Sequence, residues 1–450
     1  MKSSNVLAAL VTLGLATAAA TPAMALENQF SGAFTSFYNM TNYGDVYGQK
    51  DPVNDATDEN YFVQRVRLGY TAKASEQVKL VTKFELDYTF WGNSSYTTGR
   101  NTGGAIGADS VNIETKNLYL ELNYPTLNTK IGMLGVTDAF KGTIFDADMS
   151  GILLGHEYQN ASVAAGFFRW RDSGEASRLG KDVNDMFMLD AKYNVTKNLK
   201  IGGAYYYIAD NRSNGSSTTP SALPTGQLAD GTPIYATTTT FTTTQNPKND
   251  LKVHTLGLNA DSTFGPLTVN GFALTQFGDL NATTKAKGYE FNVGAKYNLG
   301  AAGTVRSELL YAAGGKNSVY SADGGDEGGG FYDNEMIILG RDKNQTSNDA
   351  AIVFNVTNKS QGVIFGSLGY DYTFSDKLSA SANLGFAQVA KDLAAHKSKY
   401  LGTEVNCETN YKLMPAVTVG ARAGYVVLGD YFSAGEDNPY DIKLLAKFSF

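Results

Sequence analysis

The chain closes on Tyr440-Asp-Ile-Lys-Leu-Leu-Ala-Lys-Phe-Ser-Phe450, a segment whose apolar and polar residues fall on opposite faces of a strand. Tyr440, Ile442, Leu444, Ala446, Phe448 and Phe450 share one side, and Asp441, Lys443, Lys447 and Ser449 the other, because successive side chains of a strand point in opposite directions. Such a strand separates an apolar medium from water. The same split recurs in Val78, Leu80, Phe84, Leu86, Tyr88 and Phe90 against Lys79, Lys83, Glu85 and Asp87, and again in Val417, Val419, Ala421, Ala423, Tyr425 and Val427 against Thr418 and Arg422. One alternating strand says little, since any half-buried antiparallel strand alternates. Here the polar faces carry full charges, which a watery interior accepts and a packed one does not.

Eighteen segments fit strands, and the connections between them alternate short and long. The short ones fall near Ser75, Pro125, Gln159, Thr196, Gly265, Leu299, Ser375 and Lys412; the long ones at 40–59, 91–108, 137–151, 172–182, 211–248, 279–285, 315–361, 390–398 and 429–439. This sidedness predicts an all-β fold, a closed antiparallel transmembrane β-barrel of 18 strands with both chain ends on the short-turn side. Within 315–361, Glu335 to Leu339 and Ala351 to Val356 fit either a surface hairpin or two further barrel strands, which would make 20. Merging weak segments such as 152–159 would make 16.

Residues 1–25 carry Lys2, an apolar stretch from Val6 to Ala20 and the small-x-small sequence Ala23-Met24-Ala25, the pattern of a cleavable export signal, so the barrel is expected over 26–450. Beyond it no run of 18 apolar residues predicts a membrane-spanning helix. The single cysteine, Cys407, excludes an internal disulfide and a Cys-x-x-Cys-His haem attachment, and reads as a small apolar residue on an outward face. Net charge is −7, becoming −8 without Lys2, which argues against a nucleic-acid partner.

Each even-numbered segment ends in an aromatic residue: Tyr70, Tyr124, Tyr158, Tyr193, Phe264, Tyr297, Tyr372, Tyr411 and Phe450. Most share parity with the apolar face, so they predict an interfacial girdle at one depth. With the export signal and the terminal strand, this chain resembles the bacterial outer-membrane porins, whose last strand is their targeting signal. The resemblance implies that Phe450 acts in membrane targeting, that the chain is exported through the periplasm to the outer membrane among its lipids, and that it assembles as a homotrimer.

Lys130-Ile-Gly-Met-Leu-Gly135 is similar to the strand that precedes the porin constriction loop, and the following stretch, Val136 to Ser150, would be the inward-folded third loop. Resemblance to the porin eyelet sets its Asp138, Asp146 and Asp148 against a basic wall of Arg65, Arg67, Lys83 and Arg422, which strand parity turns to the lumen. Opposed charges across a narrow channel set up a transverse field that orients polar solutes and retards apolar ones. The competing reading is that these charges pair with one another and stiffen the wall.

Catalytic and metal constellations are lacking in the sequence. His156, His254 and His396 are isolated, with no Cys partner for zinc, and each reads as a satisfied or solvated histidine. Asp323, Asp326 and Glu327 lie in a Gly-rich stretch that matches neither a phosphate loop nor an EF-hand, and a flexible solvated loop explains them more simply than a divalent cation. No enzyme activity and no cofactor are expected. The leading expectation is a porin passing small hydrophilic solutes and ions by passive diffusion. Two alternatives stand beside it: a barrel sheathing a cytochrome for electron export, and a surface receptor or adhesion barrel with a plugged lumen.

Overall fold

Alternating faces give long strands, and the strands close on themselves. A computed structural model describes residues 26–43, 58–91, 113–172, 181–212, 216–221, 224–227, 233–235, 240–245, 250–322, 330, 332–343, 351–394, 396–433 and 435–450. The export-signal reading of 1–25 and the acidic stretch at Asp323, Asp326 and Glu327 lie outside these residues. The wall begins with β1 Glu27–Thr41, β2 Glu59–Lys73, β3 Val78–Phe90, β4 Glu114–Tyr124, β5 Leu127–Thr137, β6 Asp146–Glu157, β7 Ala161–Asp172, β8 Val183–Thr196 and β9 Leu199–Asp210. It continues with β10 Leu251–Phe264, β11 Leu267–Asp279, β12 Tyr289–Asn298, β13 Thr304–Ala312, β14 Val363–Thr373, β15 Leu378–Val389, β16 Tyr400–Met414, β17 Val417–Leu428 and β18 Tyr440–Ser449.

Each strand pairs antiparallel with the next, and β18 pairs with β1 from Ala33↔Ser449 to Thr41↔Asp441, so the 18-stranded barrel has no free edge. The counts of 16 and 20 therefore fall away. The two faces differ as parity predicts. Leu80, Leu120, Ile152, Leu189, Leu258, Phe291, Leu384 and Leu444 are exposed on the outside. Inside, Asn39, Glu85, Thr255, Gln276, Asn292, Asn383, Glu404 and Arg422 are buried. Cys407 is exposed on the outer side with Val405. Seven of the nine strand-end aromatics, Tyr124, Tyr158, Tyr193, Phe264, Tyr297, Tyr411 and Phe450, are exposed beside the short turns, and Tyr70 and Tyr372 are half-buried.

Glu335 to Leu339 and Ala351 to Val356 depart from both sequence expectations, being neither a surface hairpin nor a pair of wall strands. Met336, Ile338, Leu339, Val353 and Val356 are fully buried and form one apolar cluster with Leu310, Phe365, Val389 and Val426 on the inner wall. The Ile352 and Val353 N–H groups donate to the Ile338 and Leu339 carbonyls, and Gly340 bridges Val353 in parallel. An apolar run that cannot stay in water has buried itself against the inside of its own barrel.

Candidate functional site

The inner wall at β2–β4 carries a charged knot. Glu85 on β3 is fully buried and accepts from Arg65 on β2 at 2.8 Å and from Arg67, with Lys116 on β4 3.7 Å away. Lys116 also lies 3.0 Å from Asp148 on β6. Lys83 stands in the field of Arg67, Glu85, Asp148 and Lys116. A buried carboxylate is tolerable here because three cations share it. Arg65, Arg67 and Lys83 thus lie together around a wall residue.

Arg422 is not part of that knot. It pairs with Asp342 at 2.5 and 2.9 Å and with Glu408 on β16 at 2.9 Å. Glu404 on the same strand is fully buried and accepts three consecutive main-chain N–H groups, from Ile337 at 2.8 Å, Ile338 at 3.1 Å and Leu339 at 2.6 Å. Asn406 donates to Glu404 at 2.7 Å and to the Glu335 carbonyl at 3.0 Å, while Arg306 on β13 holds the Glu335 carboxylate at 2.7 Å. The wall is hollowed to receive the segment: a Cβ on Gly385 would stand 2.4 Å from the Met336 sulfur, and one on Gly424 2.7 Å from Ile337. Segment 332–343 is therefore gripped by side chains from β13, β16 and β17 and seated by glycines.

The third connection is shorter than the sequence suggests. Val136 and Thr137 belong to β5, and Asp146 and Asp148 belong to β6, leaving 138–145 as the turn. Its residues reach far along the wall. Ala139 N–H donates to the Tyr206 hydroxyl on β9 at 2.8 Å, Asn259 on β10 donates to the Ala139 carbonyl at 3.3 Å, and Lys141 meets Glu308 on β13 at 2.6 Å. Phe140 packs on Tyr206 and on Phe272 of β11, and Phe145 on Tyr206 with ring centroids 4.8 Å apart. It also touches the long insertion, Ala322 N–H donating to the Ile144 carbonyl at 2.8 Å.

The three aspartates do not form one acidic rim. Asp138 is buried and accepts the N–H groups of Phe140, Gly142, Ile144 and Phe145 at 2.6, 3.0, 2.6 and 2.8 Å, so it folds its own turn. Burial pushes its carboxyl up to about 6, against the pull of those four donors. Asp146 accepts from Thr137 at 2.6 Å. Asp148 is held instead by Lys116 at 3.0 Å. Sequence order placed all three in one loop, and the extra residues of β6 separated them.

Two partners escaped the sequence reading. Lys116 has the parity of the outward Leu118 and Leu120, but the β3–β4 register shifts between Lys83 and Phe84, and there it reaches Glu85. For Glu404, nothing local reveals that its partners lie 65–67 residues upstream.

No protein-family model and no curated protein matches this sequence. Solved structures do. OpdQ of Pseudomonas aeruginosa aligns over 94% of this chain and 99% of its own, with 12% identity and a TM-score of 0.55. OccK2 (OpdF) of the same organism, solved in complex with glucuronate, aligns over 94% and 98% with 12% identity and a TM-score of 0.54. OccAB1 of Acinetobacter baumannii aligns over 94% and 97% with 12% identity and a TM-score of 0.54. The likeness spans nearly the whole barrel, and the fold is that of these outer-membrane porins.

Proposed function

We propose that this chain is an outer-membrane channel through which small hydrophilic solutes and ions diffuse without energy or cofactor. One observation carries the reading: a closed 18-stranded barrel with an apolar outside and a charged inside. A soluble protein of this shape would expose a continuous apolar belt to water. Likeness to porin structures, one of them bound to the small polar acid glucuronate, supports passage of hydrophilic solutes. In this reading residues 1–25 direct export, Phe450 marks the strand read by the assembly machinery, and the barrel works as a homotrimer.

The bore is narrowed by 138–145 and by 332–343, with the Arg65–Arg67–Glu85–Lys116 knot on the wall beside them. Selectivity then comes from that knot and from the Arg422–Asp342 pair, while Asp138 keeps the turn in shape. Conductance of the purified protein in a planar bilayer tests the proposal. Stepwise single-channel openings are expected. A barrel that inserts and passes no current would favour the second reading, a surface receptor barrel, which the buried apolar run at Met336 to Leu339 supports. A cytochrome sheath needs an empty interior, which this insertion opposes.

A further inference from the structure

We propose that the short-turn end of the barrel interior holds a binding site for small amphoteric solutes, molecules bearing both an ammonium and a carboxylate. The inference rests on the channel reading and names the solute class of one of its vestibules. The site is a cavity of about 750 Å³ bounded by β4–β8, within the size range of small-molecule sites.

Cross-strand register builds it. One row runs Glu121, Lys130, Leu153, Gly166 and Met188; the next runs Asn123, Asn128, Gly155, Ala164 and Asp190; the third runs Glu157, Ser162 and Lys192. Small residues on β6 and β7 make a floor, and a Cβ on Gly155 would meet nothing nearer than the Val163 carbonyl at 4.0 Å. Walls on either side carry one acid and one base each, Glu121 with Lys130 and Asp190 with Lys192, while two exposed carboxylates also line the cavity, Glu157 and Glu76, the latter paired with Lys73 at 2.6 Å.

These groups do not cancel one another. Among the described residues neither Lys130 nor Lys192 has a carboxylate oxygen within 4.0 Å. Lys130 lies instead over the Tyr119 ring, 5.5 Å from its centre, and Glu121 accepts from Asn128 at 3.1 Å. One oxygen of Asp190 is buried with no hydrogen-bond partner among the described residues. Acid and base in each wall are about 5–7 Å apart along the sheet, a spacing that the two ends of an amino acid can bridge. A solute of single charge would satisfy one member of a pair and leave the other opposed.

The site also communicates with the narrowing above it. Tyr206, on β9 beside the β8 strand that carries Asp190, accepts from Ala139 N–H, which begins the 138–145 turn.

The test is current block in a planar bilayer, with serine as the probe and propionate and ethanolamine as its single-charge analogues. Serine should block in a saturable way at concentrations where neither analogue does. Combining Lys192→Gln with Glu121→Gln should raise the half-blocking concentration about tenfold. Gly155→Phe should abolish block by filling the floor with every charge in place. Heat-modifiable gel mobility establishes that each variant is a folded barrel. Equal block by all three probes, or unchanged block in both variants, would overturn the inference while leaving the channel reading intact. Absence of any salt current would overturn the channel reading and the inference with it.

Discussion

Phe450 and Gly32 exchange two main-chain hydrogen bonds, Gly32 N–H to the Phe450 carbonyl at 2.9 Å and Phe450 N–H to the Gly32 carbonyl at 3.1 Å. The Phe450 ring lies over the same glycine, where a Cβ would come within 2.6 Å of it. The last residue is thus a rung of the seam that closes the barrel.

Deleting Phe450 should therefore impair assembly by removing the final pair of bonds together with the ring that covers Gly32. Heat-modifiable gel mobility of membrane fractions checks it. Wild-type yields of folded barrel from the truncated chain would count against the seam's importance.

Charge on the outer face should be costly. Leu258, 70% exposed at mid-strand on β10, is expected to lose roughly 2–4 kcal/mol on replacement by Arg. Arg at Asn123, on the interior face, should cost far less. Urea unfolding in lipid vesicles compares them, and equal losses would mean the two faces are misassigned.

Glu404→Ala should loosen the inserted segment. Three buried N–H groups lose their acceptor, at about 1–3 kcal/mol for each one left unpaired. Single-channel conductance should rise and protease should begin to cut within 332–343, while the barrel stays closed. Unchanged conductance would show that the segment does not narrow the bore.

Glu85→Gln should shift ion preference toward anions, since Arg65, Arg67 and Lys116 lose their shared countercharge. The zero-current potential in a salt gradient reads this out, and the shift should shrink at high salt as screening shortens to a few Å. Asp138→Asn should change that potential little. It should instead unsettle the 138–145 turn, because an amide offers one acceptor oxygen where four N–H groups converge.

The wall was legible in the sequence because each strand repeats one decision, apolar out and polar in, and each return to the short-turn side ends on an aromatic ring. What fills the wall was not. Met336 to Leu339 has the local pattern of a strand, and wall residues far off in sequence, Glu404, Arg306 and Gly424 among them, turn it inward. Parity also fails where register breaks: one shifted pair at Lys83 and Phe84 brings Lys116 to Glu85. The partner of Arg65 and Arg67 is chosen by β2–β3 pairing, which a list of residues in order does not reveal.

Gly385 and Gly424 give the barrel a means of adjustment from behind. Both lie in the wall, and each faces a side chain of the inserted segment, Met336 or Ile337, across a gap that one methyl group would overfill. Side-chain volume at these two positions sets how far the segment stands off the wall, without replacing any charged side chain. In the channel reading, the aperture is therefore open to adjustment, by engineering or by selection, with the full set of charged side chains kept.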